Sequence, residues 1–247
     1  MEEQLVENLV NKMETVDVPL LNEEAVKEKK EETEKKEETK PKKKTKYIPK
    51  FLLFGRWDTS AIVVKDRGLA VYLNLSSMLI PRNYGRHAGR KFHKLDMSIV
   101  ERLMNKMMIP GHKSKKHVIS SGAAGGKSER VMRLTKEVLS KIEQQTKQNP
   151  VQVLVTAIEN VALLEEITAY QMGGIMVRKA VVTSPQRRID WALRLITQAA
   201  YQKSFNNKKN IVDAMTSEIM ACYNKDVQNS NAMRERERIE REAEGAR

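Results

Sequence analysis

The strongest constraint on the fold is a spacing of apolar residues by three and four positions, which begins after Ser98 and returns several times before residue 223. The first such stretch opens with Ser98 and Glu101, a capping-box pair, and stops at Pro110-Gly111. An α-helix repeats every 3.6 residues, so this spacing places the apolar side chains on one face. The pattern predicts an amphipathic helix between the capping box and the proline.

Four more helices are predicted in the same way. One follows Ser128, and two begin at residues 149–150 and 184–185, where a capping side chain stands directly before a proline. Asn207 is the predicted cap of the last one. Together these helices are long enough and apolar enough to form a bundle around one core.

Residues 166–183 break the helical pattern. They are rich in β-branched and aromatic side chains around Gly173-Gly174, a pair that supplies the positive φ angles of a two-residue hairpin turn. We therefore predict a two-stranded β-hairpin between two helices. It is either a ribbon that lies on the helices or an arm held by a bound partner, for which Arg178 and Lys179 would serve.

The predicted fold is mainly α: a helical bundle with a protruding two-stranded β-hairpin and a disordered, charged N-terminal extension. Residues 22–46 contain one valine as their only apolar side chain beyond alanine, so little there can offset the entropy of ordering. The expected divisions are an extension at 1–50, a helical domain at 51–230 and a charged tail at 231–247. The tail is either a solvated helix or a segment that reaches a partner, and a short apolar stripe at 5–13 is a candidate docking helix.

The charge of the chain points to a polyanionic partner. The sequence has 45 Lys and Arg against 32 Asp and Glu, a formal net charge of +13. Residues 51–150 hold 19 of the basic and 7 of the acidic side chains, and residues 40–50 add six lysines without an acid. A field of this strength and sign favours nucleic acid as the partner.

Cysteine content and hydropathy indicate the compartment. Cys222 is the single cysteine, so it has no disulfide partner within the chain, which favours a reducing environment. No apolar run approaches the roughly 18 residues needed to span a bilayer, and the first residues lack the features of a secretory or mitochondrial signal. We expect a cytoplasmic or nuclear protein that binds no membrane.

Catalysis is not expected, although residues 119–130, ISSGAAGGKSER, end like a phosphate-binding loop. That loop needs a glycine where this chain has Ser121, and it follows a buried strand that the sequence does not predict. A helix start at Ser128 would still allow an anion there. The two histidines nearby lie among lysines, which disfavours a metal site, and Cys222 lies on an apolar helix stripe, which favours a core residue over a nucleophile.

The richest binding signal is residues 81–94, PRNYGRHAGRKFHK, in which no acid interrupts the cations. The planar guanidinium group of arginine suits phosphate oxygens, and Tyr84, His87 and Phe92 are placed to rest on a base or a sugar. Aromatic residues make up only 5% of the chain, which disfavours a stacking platform for single strands. We therefore predict that the 51–230 domain binds folded RNA through its phosphates.

Six stretches occur in the order seen in a known family. They are LFGRW at 53–57, YGRHAGRKFHK at 84–94, IVERLMNKMM at 99–108, NPVQVLVTAIEN at 149–160, the Gly173-Gly174 hairpin and SPQRRIDWALRLI at 184–196. In this order they resemble the seventh small-subunit ribosomal protein family, and in particular its eukaryotic branch, which is called protein five in eukaryotic naming. The resemblance covers about residues 51–247.

The resemblance implies a structural constituent of the small ribosomal subunit without a cofactor. Such a protein binds the three-prime major domain of the ribosomal RNA (rRNA), organises assembly of the subunit head, and lies near the exit transfer-RNA site and the messenger-RNA exit path. Neighbouring ribosomal proteins are further expected partners. The expected location is the cytoplasmic ribosome, with nuclear or nucleolar passage during assembly.

The resemblance also implies which residues bind. The expected rRNA contacts are Arg82, Arg86, Arg90, Lys91, Lys94, Lys113, Lys115, Lys116, Lys127, Arg187 and Arg188. The hairpin residues Gly173, Gly174, Arg178 and Lys179 are expected on the transfer-RNA and messenger-RNA side. Family hairpins commonly bear arginines near the tip, whereas this one has only Arg178 and Lys179, which predicts a weaker or a more apolar contact. Two rival functions stay open: a phosphate-loop enzyme that depends on Lys127, and an RNA chaperone that acts outside the ribosome.

Overall fold

The computed structural model describes residues 51–86, 88–113, 116–117 and 124–247. The predictions made for the first 50 residues, a disordered extension and an apolar stripe at 5–13, lie outside the described residues. So do His87 and Lys115.

Seven α-helices and two antiparallel β-ribbons make up the described part of the chain. The helices are α1 (Arg67–Ala70), α2 (Ile99–Met107), α3 (Ser128–Thr146), α4 (Pro150–Val161), α5 (Pro185–Ser204), α6 (Ile211–Tyr223) and α7 (Asn231–Glu244). The ribbons pair β1 (His112–Lys113) with β2 (Lys116–His117) and β3 (Glu165–Met172) with β4 (Ile175–Val182). The predicted mainly α fold with a two-stranded β-hairpin is confirmed.

Helix α5 is the centre of the bundle, because it packs against α1, α2, α4, α6 and α7. Its inward face carries Ile189, Leu193 and Ile196, which are fully buried, as their spacing predicts. Leu154 and Ile158 of α4 are buried to the same extent. Truncating any of these side chains to alanine would cost about 2–5 kcal/mol, so α5 fixes the relative positions of the elements around it.

Helix α4 begins as its sequence predicts. The Asn149 side chain accepts a hydrogen bond from the Val151 N–H at 3.0 Å, and Pro150 occupies the first helical position. The Asn149 amide group also donates to the Asp58 carbonyl, so the same side chain joins the start of α4 to the segment that precedes α1.

Helix α2 is also found where it is predicted, but the capping box that predicts it does not form. The Ser98 side chain makes no capping hydrogen bond. The Glu101 carboxylate, which a capping box would turn back to the Ser98 N–H, accepts the N–H of Asn83 at 2.8 Å instead. A donor from a distant loop has replaced the local one, and Glu101 therefore anchors the loop that contains Asn83 rather than the helix end.

The predicted cap of α6 is wrong by three residues. The helix begins at Ile211 with Asn210 as its N-cap residue. Asn207, the predicted cap, donates its side-chain amide to the Lys203 carbonyl at 3.0 Å and so extends the hydrogen bonding at the end of α5. Asn206, with a φ of +54°, turns the chain out of α5.

The β-hairpin lies within one residue of its predicted bounds. Gly173 and Gly174 have φ angles of +57° and +85°, the left-handed conformation that a tight two-residue hairpin turn requires at both positions. The tip is apolar and exposed: Met172, Ile175 and Met176 are each more than 60% accessible. The hairpin therefore protrudes, as predicted.

The charged tail forms helix α7, which packs on α5 and holds the base of the hairpin. Its buried side chains are the small or flexible residues Ala232, Met233 and Ala243. Beyond the helix, Ala246 accepts the N–H of Ala180 at 3.3 Å, and Arg247 forms an ion pair with Glu165 at 2.6 Å. The tail is thus a packed helix rather than a lone solvated one, and it supports the arm.

A buried carboxylate joins α7 to α5 and α6. Glu218 of α6 is fully buried and accepts hydrogen bonds from the Ser230 hydroxyl at 2.7 Å and from the Ala232 N–H at 2.9 Å. Lys203 of α5 forms an ion pair with its second oxygen. Cys222 lies beside Ser230, and burial raises the pKa of its thiol to about 12, which keeps it protonated at neutral pH.

Replacing Glu218 with alanine should destabilise the protein strongly, because the Lys203 ammonium and two donors at the start of α7 lose their acceptor. We expect the free energy of unfolding to fall by about 3–5 kcal/mol, measured by urea denaturation followed by circular dichroism. The matched control is Asp213→Ala on the same helix, whose ion pair with Lys141 is exposed. It should cost less than about 1 kcal/mol, and equal losses in the two variants would contradict this account of α7 docking.

Candidate RNA interface

The basic segment, residues 81–95, folds as a series of tight turns against α2. The Arg86 N–H donates to the Asn83 carbonyl at 3.2 Å, and the Ala88 N–H donates to the Gly85 carbonyl at 3.0 Å. A single 3₁₀ turn at His93–Leu95 follows. Turns of this kind keep the backbone close to α2 and leave long side chains free to point outward.

Glu101 of α2 anchors the start of the basic segment. Glu101 is buried, and its carboxylate accepts the Asn83 N–H. Burial raises the pKa of Glu101, although the hydrogen bond from Asn83 and the charge of Arg82 act in the opposite direction. The guanidinium group of Arg82 lies over the ring of Tyr84, 4.7 Å from its centroid.

The cations in the middle of the basic segment face solvent. Arg86, Arg90 and Lys91 are exposed, and none of them forms an ion pair with a described residue. Binding of these cations to a phosphate costs little free energy, because no ion pair within the protein has to be broken first. They are the predicted contacts whose geometry is best suited to binding a polyanion.

The end of the basic segment borders a cationic cleft, a cavity of about 410 Å³ between this segment, α2 and the first turns of α5. The charged residues that line it are Lys94, Lys106, Arg187, Arg194 and Asp190. Trp191 also lines the cleft, with the guanidinium groups of Arg187 and Arg194 lying 5.8 and 5.2 Å from its ring centroid. Four cations therefore surround one carboxylate.

Asp190 holds the cleft together. One of its oxygens accepts a hydrogen bond from Lys94 at 2.5 Å, and the other accepts one from the buried Arg102 of α2 at 3.2 Å. Burial of the carboxyl group would raise the pKa of Asp190, but the hydrogen bond from Lys94 and the charges of Arg102 and Lys94 outweigh it and hold this pKa below its usual range. Asp190 is therefore ionised and satisfied within the protein.

Lys106 lies among other positive charges in the lining of the cleft. Burial lowers the pKa of its ammonium group, and the nearby charges of Lys94, Arg194 and Arg102 lower it further, against the attraction of Asp190. An anion placed in the cleft would relieve this repulsion. The arrangement is suited to binding phosphate, and it brings no nucleophile or acid–base pair together for a reaction.

Arg187 and Arg188 have different surroundings, although they are adjacent in the chain. Arg187 is half exposed and makes a two-point ion pair with Glu166 at the base of the hairpin, with distances of 2.5 and 2.8 Å. The Arg188 guanidinium is largely buried, where it pairs with Asp66 at 2.9 Å and donates to the Leu163 carbonyl at 3.0 Å. In this structure Arg188 joins α5 to the start of α1 and to the chain before the hairpin.

The remaining predicted rRNA contacts are Lys113, Lys115, Lys116 and Lys127. Lys127 is exposed and directly precedes α3, whose first residue, Ser128, lies beside the basic segment. The backbones of Lys113 and Lys116 form the short β1–β2 ribbon. Lys115 lies outside the described residues. All these positions stay predictions.

On the hairpin, Arg178 and Lys179 are exposed and lie midway along β4, paired with Ala169 and Thr168. Successive residues of a strand point to opposite faces, so the side chains of Arg178 and Lys179 lie on opposite faces of the hairpin. The turn at Gly173 carries no charge within four residues on either side.

Sequence reasoning missed three charged members of the cleft, Lys106, Asp190 and Arg194, and the buried Arg102 that pairs with Asp190. Arg102 lies in α2 within two residues of Val100, Leu103 and Met104, where a buried charged side chain without a partner would be costly. That position was the available signal for a buried ion pair. Its partner could not be read from the pattern, because Asp190 lies 88 residues away.

Two observations limit the kinds of site that this part of the chain holds. Among the described residues, no cluster of three or more His, Cys, Asp or Glu side chains is arranged to bind a metal ion. No described helix combines the length and the apolar content that crossing a bilayer requires.

Comparison with known proteins identifies the family. The family model described as "Ribosomal protein S7p/S5e" matches residues 77–247, which include the basic segment, the cleft and the hairpin. The chain belongs to this family. The predicted resemblance is thereby confirmed, and because the family is structural, this ribosomal protein is not an enzyme.

Similar proteins in other organisms bear the description "Small ribosomal subunit protein uS7". The one from Nanoarchaeum equitans (strain Kin4-M) is 41% identical over 198 residues, which cover 80% of this chain and 100% of that protein. The one from Methanothermobacter thermautotrophicus is 40% identical over 195 residues, or 79% of this chain and 98% of the relative. The one from Methanospirillum hungatei JF-1 is 38% identical over 199 residues, which cover 81% of this chain and 96% of that protein.

Acid should abolish the contribution of Asp190 to the stability of this ribosomal protein. Because its pKa is lowered in the folded state, its ionisation stabilises the fold above the ordinary aspartate pKa of about 4, and this stabilisation is lost as the pH falls through the lowered value. We expect Asp190→Asn to be less stable than the wild type at pH 6. The difference should shrink below about pH 4, as measured by urea unfolding at each pH, and a difference that stays constant down to pH 2 would contradict the assignment.

Proposed function

We propose that this ribosomal protein is a structural constituent of the small ribosomal subunit, and that its basic segment and cationic cleft bind the phosphate backbone of small-subunit rRNA. The relatives that cover four-fifths of the chain are described as small-subunit proteins. Their partners would include rRNA and other ribosomal proteins, and we extend both to this chain.

The observation that carries the proposal is the cleft, whose lining brings together four cations from three elements and the carboxylate of Asp190, with Glu166 paired to Arg187 at the base of the hairpin. Arginine and lysine side chains near one another repel unless counter-charge is supplied, and a phosphate group supplies it. The charge of Lys106 is disfavoured by its burial and by Lys94, Arg194 and Arg102, so an anion in the cleft would stabilise it. Trp191 keeps two guanidinium groups in place, so their geometry is set before RNA arrives.

The exposed cations Arg86, Arg90 and Lys91 extend this surface away from the cleft, and Lys127 borders it at the start of α3. Arg188 takes a different role in the proposal. Because its guanidinium is already bound to Asp66 and to a carbonyl oxygen, it positions α1 and the hairpin base rather than contacting phosphate.

The finer placement of the protein is also part of the proposal. By family resemblance, the rRNA region is the three-prime major domain, and the protein organises assembly of the subunit head. The hairpin would lie near the exit transfer-RNA site and the messenger-RNA exit path, where its uncharged tip favours an apolar or stacking contact over a phosphate contact. The protein would act on cytoplasmic ribosomes after passing through the nucleus or nucleolus during assembly.

Salt dependence tests the electrostatic part of the proposal. If roughly eight phosphates are neutralised, the logarithm of the association constant for small-subunit rRNA should fall with a slope of about −7 against the logarithm of the salt concentration. The measurement is filter binding or fluorescence anisotropy with transcribed rRNA over a roughly sixfold range of salt concentration, across which the Debye length falls by a factor of about 2.4. Undiminished binding with a slope near zero would refute it.

Charge reversal tests the site. Arg86→Glu combined with Arg90→Glu should prevent incorporation into small subunits while leaving the helical circular dichroism spectrum unchanged, because both side chains are exposed. The matched control reverses Lys208 and Lys209, which are exposed beyond the far end of α5, a helix about 30 Å long.

Sedimentation of lysate provides the readout. The wild type and the control should travel with small subunits and polysomes, whereas the Arg86/Arg90 variant should stay near the top of the gradient. A wild-type protein that never sediments with subunits would instead favour an RNA chaperone that acts outside the ribosome. Incorporation of the Arg86/Arg90 variant at wild-type levels would show that the basic segment is not the binding site.

A further inference from the structure

A second cavity lies between the basic segment, α2 and the start of α3, and it shares no lining residue with the cationic cleft. Its volume is about 250 Å³. One water molecule occupies about 30 Å³ in the liquid, so the cavity has room for a planar ring system. Its walls are largely apolar and include Met104, Met108 and Met132.

Tyr84 borders this cavity in an unusual state. It is 70% exposed, and its φ of +53° lies in the left-handed region that a bulky residue rarely adopts. Because the ring is exposed, packing of the side chain into the protein interior does not explain the positive φ. Such backbone conformations cluster at ligand-binding positions. Arg82 rests on the ring at 4.7 Å and holds it beside the cavity.

Two polar side chains of α2 also line the cavity: Glu101 and, one helical turn later, Asn105. The first oxygen of Glu101 is used by the Asn83 N–H, but the second, Oε2, is buried and has no hydrogen-bond partner among the described residues. A buried acceptor without a donor is destabilising and calls for a partner. An amino group carried in by a ligand would provide one.

The charge around the cavity indicates which kind of molecule would carry a planar ring into it. Arg82 lines it, and the exposed Arg86 and Arg90 follow in the same segment. An RNA strand held by these cations would present its bases within reach of Tyr84. In a paired helix the bases are stacked and their edges occupied, so only an unpaired base can enter.

We infer that this cavity receives one unpaired base of the rRNA, which stacks on Tyr84 and donates a hydrogen bond to Glu101 or Asn105. The inference rests on the proposed function, because it requires that RNA lie along the basic segment. Adenine, guanine and cytosine carry an exocyclic amino group and match the unpaired oxygen of Glu101. Uracil has no amino group and offers only its N3–H as a donor, so it fits less well.

The first test is a pair of substitutions at Tyr84. Tyr84→Asn removes the ring but keeps a residue that tolerates a positive φ, and Tyr84→Phe keeps the ring. With transcribed small-subunit rRNA, Tyr84→Asn should bind about tenfold or more weakly, in keeping with the loss of one base–aromatic stack. Its salt slope should equal that of the wild type, because no charge is removed. Tyr84→Phe should bind within about twofold of the wild type, as expected when the stacking face is kept.

The second test observes the cavity directly. In protein labelled with ¹³C at the methionine methyl groups, guanosine monophosphate should shift the signals of Met104, Met108 and Met132 but not that of Met233 in α7. Uridine monophosphate should shift them less, and ribose 5-phosphate, which has the charge but no base, should leave them unchanged.

Three results would overturn the inference: wild-type affinity of Tyr84→Asn, equal shifts with ribose 5-phosphate, or methyl shifts caused by proteins stripped from small subunits but not by RNA. The last would make the occupant a protein. Failure of the proposed function is distinguishable, because it would appear as absent binding of the wild type to rRNA in the salt series.

Discussion

The carboxylate of Asp190 joins Lys94 of the basic segment to Arg102 of α2 at one point on α5. This contact fixes the end of the basic segment against α2 and α5, on which the geometry of the cleft depends. A surface that is to bind a polyanion collects like charges, and these charges repel one another until the polyanion arrives. One internal carboxylate offsets part of this repulsion and holds three elements together, while Arg86, Arg90 and Lys91 of the basic segment face solvent. Glu101 has the corresponding role at the other end of the segment, where it holds the backbone of Asn83.

The arginines of α5 show how one helix serves both stability and binding. Adjacent residues of an α-helix point about 100° apart, because 3.6 residues complete a turn. Arg187 therefore faces the cleft and the hairpin base, while Arg188 faces Asp66 and the interior. A count of cations along the sequence overstates the binding surface, since some of them are already bound within the protein. The proposed binding surface is consequently smaller than the set of cations predicted from the sequence, because Arg188 is left out of it.

The elements that could be predicted are those whose signals are local. Apolar spacing, the Asn149-Pro150 cap and the Gly173-Gly174 turn each act within a few residues, and the helices and the hairpin appear where they indicate. The Ser98 capping box failed because the N–H of Asn83, distant in the chain, took the glutamate that the box needed. The cleft was only partly predictable for the same reason: Lys94 lies 96 residues from Asp190, and no local pattern connects them. The packing of α7 could not be predicted, because few apolar residues lie among its charged ones.

The attachment of the hairpin to the last helix has a consequence for how the molecule is made. Ala246 and Arg247, which bond to the base of the hairpin, are translated more than sixty residues after it. During synthesis, the two strands emerge before their support exists, and an isolated two-stranded ribbon is marginally stable in water. The arm therefore acquires its fixed direction late, after α5, α6 and α7 have emerged and packed. Nascent chains that have passed the hairpin but not α7 would carry an unsupported apolar tip, which makes that interval the one in which a chaperone is most useful.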